Sequence, residues 1–300
     1  MLTFLPAPIV GIIAFTLYIF NTLAIPLLVL IFGLLMYIMP IPPIRRFLSK
    51  LVHEILPNWW ISMSDGIIAL TTKTEWDIQG TGDLRLDGWY LLISNHQSWL
   101  DIIVLEKAFK QKVPMLKFFM KRQLLWALPV AGIACWVMGF PFVKRYSQEY
   151  LKKHPEKAGQ DLEITRRACE KFKDQPITIM NYIEGTRFTE EKYLKQQSSY
   201  KHLLKPKAGG FAFVIAAMEG HLESIINTTI IYPDPDTSLW HFMSGKVKKI
   251  IVRYEVIPIT SNMLGDYFND AEFRRKFQHW TNQLWHEKDQ LIDELLKKQL

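Results

Sequence analysis

Hydrophobic positions fall in distinct regimes along this chain. Residues 1–44 carry no charged side chain, and the run from Pro8 to Pro40, PIVGIIAFTLYIFNTLAIPLLVLIFGLLMYIMP, is apolar on every face. A helix of that kind has no side to turn to water, so the segment predicts a membrane-embedded anchor. At ~1.5 Å per residue one straight helix of this length reaches ~50 Å, more than the ~30 Å of a hydrocarbon core. Pro26, with Asn21 nearby, supplies a break, because proline removes a backbone hydrogen bond and crowds the preceding turn. Two forms follow: one tilted, kinked helix, or a pair of shorter helices that enter one leaflet and return. Length favours the second. No basic residue precedes the run, and a cleavable secretion signal is not expected.

From residue 75 the pattern changes to short alternating segments. EWDIQ (75–79), WYLLIS (89–94), FPFV (140–143), ITIMNYI (177–183), INTTIIY (226–232) and IIVRYEVI (250–257) are rich in β-branched and aromatic residues and are bounded by Gly, Pro or Asp. They predict strands. Helical spacing lies between them: Ile164, Ala168 and Phe172 recur every four residues, with Cys169 beside that stripe as a packing residue. Residues 270–300 predict a long amphipathic helix capped by Asn269 or Asp270. Strands interleaved with helices imply an α/β domain. The chain divides into an anchor (1–44), a membrane-proximal connector (45–74) and the α/β domain (75–300).

Leu124–Val143 is a second charge-free run of twenty residues. Pro129, Gly132, Gly139 and Pro141 interrupt it, and Lys121, Arg122, Lys144 and Arg145 flank both ends. Positive charge on both sides argues against crossing, so this run is expected to lie along the interface and lead into a buried strand.

Charge adds a direction. Arg45, Arg46 and Lys50 directly follow the anchor, which places the rest of the chain on the cytoplasmic face, that of a bacterial inner membrane. Cys135 and Cys169 form no C-x-x-C and suit a reducing compartment. The net charge of +7 suits anionic lipid headgroups and nucleic acid alike, but no nucleic-acid-binding motif accompanies it. No metal-ligand spacing is present, so no metal is expected.

Candidate chemistry begins at 92-LISNHQSWLD-101. On one continuous helix His96 and Asp101 point ~140° apart, so they meet only across a bend. A strand, a short loop and a helix start supply that bend, with Asn95 and Ser98 as turn or capping residues. Asp101 then fixes the imidazole tautomer while the other ring nitrogen takes a proton. No G-x-S-x-G elbow is present, and neither cysteine neighbours a matching histidine, so the substrate is expected to bring its own hydroxyl. Three further loops carry cations: 139-GFPFVKR-145, 184-EGTR-187 and 205-KPKAGG-210. Glycine lets backbone N–H groups approach an anion, and arginine matches a phosphate with two parallel hydrogen bonds.

N-H-x-x-x-x-D, G-F-P-F-x-K-R and E-G-T-R, in that order over roughly residues 75–235, resemble the 1-acylglycerol-3-phosphate (lysophosphatidate) acyltransferase family of glycerolipid acyltransferases. EGTRFTEEK with LKPKAGGF is similar to the branch that includes lysocardiolipin-type and some eukaryotic lysophosphatidate enzymes. The resemblance implies a mixed central sheet flanked by helices and an N-terminal membrane-seated helix pair. It implies acyl transfer from acyl-CoA or acyl carrier protein to the 2-hydroxyl of a lysophospholipid, with no other cofactor. By that resemblance His96 is the base and Asp101 its partner. Lys144, Arg145, Glu184, Gly185, Thr186, Arg187 and Lys207 hold the acceptor phosphate, and Leu116–Trp136 forms the acyl slot. The chain departs from the family at INTTIIYP, where polar Asn227, Thr228 and Thr229 occupy a usually apolar strand. A lysolipid-remodelling enzyme shares every motif, and a non-enzymatic basic membrane scaffold is the alternative of another class.

Overall fold

The computed structural model describes residues 2, 4–143, 163, 166–167, 169–170, 173, 175–218 and 220–299. The chain forms two compact units, Met1–Lys73 with Lys117–Asp161 and Trp240–Lys246, and Thr74–Leu116 with Leu162–Leu239 and Val247–Leu300.

In the first unit α1 (Ala7–Ile38) is one helix that continues through Pro26. No turn-back occurs within 8–39, so the continuous form is adopted over the pair of short helices. Its partner comes from the region read as a connector, which is helical almost throughout: α2 (Pro42–Lys50), a π-helical stretch (Leu51–Ile55) and α3 (Leu56–Thr71). α1 and α3 run antiparallel. Leu2 N–H donates to Leu70 O, and Asn21 Nδ2 donates to Trp60 O at 3.0 Å and Ser64 Oγ at 3.1 Å. Asn21 therefore serves the helix–helix seam, where a buried amide needs its partners. Gly33 admits the side chain of Val137, since a Cβ there would lie 2.7 Å from Val137 Cγ1. The opposite face stays apolar and exposed, with Ile12, Phe20, Leu27 and Leu34. Among the described residues α1 is the one helix long and apolar enough to cross a membrane.

The charge-free run 124–143 breaks at its proline. It forms two short helices, α4 (Leu124–Ala127) and α5 (Ala131–Val137), and then β2 (Phe142–Val143), which pairs in parallel with β1 (Met120–Lys121). Neither helix is long enough to span a bilayer.

The second unit carries the sheet. Five strands of this six-stranded sheet are β3 (Glu75–Thr81), β4 (Trp89–Ser94), β5 (Ile177–Tyr182), β6 (Ser224–Ile231) and β7 (Lys249–Pro258), in the spatial order β3-β7-β6-β4-β5. β3 and β7 are parallel, β7 and β6 antiparallel, and β6, β4 and β5 parallel. The sheet is mixed and helices flank it, as expected. β4 is buried along nearly its whole length on both faces, which explains a near-continuous apolar run rather than an alternating one. The segments expected as strands are strands, although FPFV shortens to its last two residues. The brief strands Leu116–Phe118 and Met120–Lys121 were not foreseen.

The C-terminal helix α6 (Ala271–Lys297) begins at Asp270, whose side chain accepts from Glu272 N and Phe273 N. It buries Phe277, Leu284, Trp285 and Ile292 at helical spacing, each large apolar side chain worth about 1.5–3 kcal/mol. The same face buries Lys288, whose Nζ donates to Thr228 O and to Thr229 Oγ1. Burial pushes that amine down to about 7. Two of the polar residues of INTTIIYP thus have side-chain partners: Lys288 for Thr229, and Glu255 of β7, which accepts from Asn227 Nδ2 at 2.8 Å, while the buried Thr228 hydroxyl has none among the described residues. Ile164, Ala168 and Phe172 lie outside the described residues; Cys169 is buried, and burial raises its thiol to about 12.

Candidate active site

Three neighbouring parallel strands, β4, β5 and β6, deliver their carboxyl ends to one edge of the sheet. Ser94 stands opposite both Tyr182 and Thr228. The chain leaving β4 carries NHQSWLD, the chain leaving β5 carries EGTR, and Tyr232 follows β6. Sites gather at such an edge because loops there converge while the strands behind hold them rigid.

Asn95 closes the first loop. Its Nδ2 donates to Ile230 O and its Oδ1 accepts from Ile230 N, both at 2.9 Å, so this buried amide extends the β4–β6 ladder by one link. Ser98 Oγ donates to Thr237 O and accepts from Leu100 N, where α7 (Leu100–Phe109) begins. Asp101 lies in the first turn of that helix, wholly buried. Its Oδ2 accepts from Gln97 N at 2.7 Å and Ser98 N at 3.0 Å, and lies 2.7 Å from His96 Nδ1. Its Oδ1 accepts from Tyr232 Oη at 2.6 Å. The bend therefore brings His96 and Asp101 together, as their spacing required. A carboxylate on Nδ1 makes that nitrogen the N–H donor and leaves Nε2 as the basic one. Nε2 has no hydrogen-bond partner among the described residues, and the imidazole is 16% exposed. The ring stacks on Tyr182 with centroids 3.8 Å apart and planes 12° from parallel.

The E-G-T-R loop is tied to the histidine loop at both ends. Glu184 Oε2 accepts from His96 N, and Phe188 N donates to His96 O at 2.7 Å. Glu184 was expected among the phosphate contacts, and its position corrects that reading. It is 1% exposed, and its other oxygen accepts from Leu204 N, so both oxygens face backbone donors inside the protein. Burial raises its carboxyl to about 8, against the opposing pull of those two N–H groups. It is a clamp between two loops. Gly185 takes φ +72°, and the Lys207 side chain lies across it, so that a Cβ would sit 2.8 Å from Lys207 Nζ. Lys207 N donates to Ile183 O, anchoring the K-P-K-A-G-G segment to the end of β5. Gly185, Thr186, Arg187 and Lys207 are thus gathered at one place. Lys144 and Arg145 lie outside the described residues.

Several participants escaped the sequence reading. Lys192 Nζ donates to Thr186 Oγ1 and to Arg187 O, both at 2.9 Å, and braces the loop from inside. The Arg187 guanidinium lies 4.4 Å from the ring centre of Trp99, an exposed indole of the first motif. A cation over an aromatic face is held in place without losing its donors. Tyr182 and Tyr232 bracket the dyad. The residue types at 182, 192 and 232 gave no signal in the sequence, because their roles arise from contacts across the sheet.

Chemically the arrangement offers a base, an oriented carboxylate and cations on an adjoining loop. Among the described residues it offers no enzyme nucleophile beside the base: the Ser98 hydroxyl is engaged with Thr237 and Leu100, and Cys169 is sealed in the core.

The family model described as Acyltransferase matches residues 75–233, more than half of the chain and the whole of the site. An uncharacterised acyltransferase of Schizosaccharomyces pombe is 24% identical over 223 residues, 69% of this chain and 60% of that protein. The 1-acyl-sn-glycerol-3-phosphate acyltransferase alpha of Mus musculus is 30% identical over 99 residues, 33% of this chain and 30% of that one. The chain thus matches less than two thirds of the length of these relatives. The crystal structure of the 1-acyl-sn-glycerophosphate acyltransferase PlsC from Thermotoga maritima shares the fold, with a TM-score of 0.55 at 15% identity, over 96% of this chain and 95% of that one. With that family model matched over more than half of its length, this chain belongs to the acyltransferase family.

Proposed function

We propose that this protein transfers a fatty acyl group from acyl-CoA, or from acyl carrier protein, to the 2-hydroxyl of lysophosphatidate, giving phosphatidate. The observation that carries this reading is the His96–Asp101 contact at 2.7 Å, with a basic nitrogen on the far side of the ring and, among the described residues, no hydroxyl or thiol placed to use it. A base without a nucleophile of its own needs one from the substrate. Glycerolipid acceptors supply an alcohol and, on the same molecule, a phosphate suited to Arg187 and Lys207.

The alcohol O–H gives its proton to His96 Nε2 as its oxygen attacks the thioester carbonyl. The tetrahedral intermediate collapses with cleavage of the C–S bond, and the imidazolium returns the proton to the leaving thiolate. Asp101 stabilises the imidazolium through both stages. Arg187, held over Trp99, and Lys207, laid across Gly185, grip the phosphate; Thr186 adds a hydroxyl fixed by Lys192. Lys144 and Arg145 belong to this grip by the family motif alone. α1 seats the enzyme in the membrane from which the acceptor arrives, with Arg45, Arg46 and Lys50 on the cytoplasmic side of a bacterial inner membrane.

The test is thiol release from an acyl thioester by the purified protein, with and without lysophosphatidate. His96→Ala should lower turnover by ~100- to 10,000-fold, the usual contribution of a general base, while the circular dichroism spectrum stays unchanged. A folded His96→Ala protein with near-normal transfer would rule out the mechanism. A panel of lysophosphatidylglycerol and lysocardiolipin acceptors separates biosynthesis from remodelling.

A further inference from the structure

We propose that Tyr232 is a positioning residue of the proposed transfer, acting on His96 through Asp101 by holding the carboxylate oxygen that the histidine does not use. The inference rests on the reading of His96 as the base.

The argument starts from the number of hydrogen bonds at Asp101. Oδ2 takes the imidazole and two loop N–H groups, so it is fully occupied, and Oδ1 is left with the Tyr232 hydroxyl at 2.6 Å. Asp101 is completely buried, so no solvent replaces that donor. An oxygen of a buried carboxylate left bare would turn towards whatever donor it can reach, carrying its partner oxygen away from His96. Tyr232 is itself buried, and burial, followed by the Asp101 charge, holds its phenol well above the usual range, so it remains an O–H donor throughout the working pH range. Its placement follows from the fold. Tyr232 directly follows β6, whose neighbour β4 leads into the histidine loop, and Asn95 locks these two strand ends together two residues before the tyrosine.

Other charges could also set the pH dependence of this dyad. From β5 and the loop after it come Tyr182, stacked on the imidazole, then Glu184 and Arg187. Lys207 lies over Gly185, Glu106 sits further along α7, and Lys288 of α6 acts on Glu184. None of these donates to Asp101 Oδ1 among the described contacts. Without the Tyr232 donor the carboxylate turns from His96 and stabilises the imidazolium less, so the imidazole holds its proton less strongly.

The experiment is Tyr232→Phe in the full-length protein, assayed by thiol release with lysophosphatidate across pH 5–9, together with His96→Ala, Asp101→Asn and the Tyr232→Phe/Asp101→Asn double variant. Tyr232→Phe should lower kcat about tenfold, in line with one charge-assisted hydrogen bond, and leave the KM for lysophosphatidate within about twofold. The acid limb of the kcat/KM profile should move to lower pH by roughly half a unit. In the Asp101→Asn background the same change should cost less than about twofold, because the charge it acts through is gone. That comparison decides even if the phenylalanine lowers the melting temperature, since a purely structural loss would appear in both backgrounds. Wild-type turnover and pH profile in Tyr232→Phe, or an equal loss with and without Asp101, would overturn the inference while a dead His96→Ala leaves the base intact. An active His96→Ala would overturn both.

Discussion

Replacing Asp101 by asparagine isolates charge from geometry at this site. The Oδ2 position faces two backbone N–H groups and the His96 ring, so the asparagine oxygen must occupy it, since an amide NH2 there would oppose two donors. The NH2 then falls where Oδ1 was and meets Tyr232 Oη, which can accept it by turning its own proton away. The histidine keeps its tautomer and orientation, and the fold loses at most about 1–3 kcal/mol for the stranded tyrosine proton. What disappears is the attraction between carboxylate and imidazolium. With the contact at 2.7 Å and each charge spread over its group, the charge centres are separated by about 4 Å, which at an effective dielectric constant near 20 is worth about 4 kcal/mol. At about 1.4 kcal/mol per factor of ten, kcat should fall roughly 1,000-fold. The assay is thiol release under saturating acyl-CoA and lysophosphatidate, with melting temperature and circular dichroism recorded on the same samples. An Asp101→Asn protein that is folded and turns over within about threefold of wild type would refute the assignment of Asp101 as the electrostatic partner.

Other outcomes follow from neighbouring contacts. Lys192→Met removes the donor shared by Thr186 Oγ1 and Arg187 O, and should raise the KM for lysophosphatidate about tenfold with kcat changed by less than about threefold in steady-state kinetics. Gly185→Ala places a Cβ on a left-handed backbone against Lys207 Nζ and should cost about 1–3 kcal/mol in chemical denaturation. Glu184 has a folded-state value of about 8, above its unfolded one, so its protonated form adds stability that is complete at acid pH and is lost as pH rises towards 8. The melting-temperature advantage of wild type over Glu184→Gln should therefore shrink between pH 5 and pH 8.5, and a constant gap would contradict the buried-clamp reading.

The strands, the α/β class, the cap at Asp270 and the pairing of His96 with Asp101 were legible in the residues themselves. Each is a local matter: periodicity, turn chemistry, or a spacing that only a bend between strand and helix can close. The anchor was legible as apolar but not as one helix or two. That choice rested on a partner, α3, which packs along α1 with the Asn21 amide N–H groups donated to Trp60 and Ser64. Glu184 shows the same boundary within the site. Beside a threonine and an arginine in sequence it reads as part of a phosphate grip, yet the loops fold so that its carboxyl turns inward to the backbone of His96 and Leu204. Tyr232, Lys192 and the polar stretch of β6 likewise acquire their roles from strands and helices distant in sequence. Sequence alone determined the main strands, the C-terminal helix and the spacing that lets His96 reach Asp101, because those depend on neighbours along the chain. Tertiary structure decided what supports that pair, because a hydrogen bond to a buried oxygen depends on which distant residue the sheet order brings beside it.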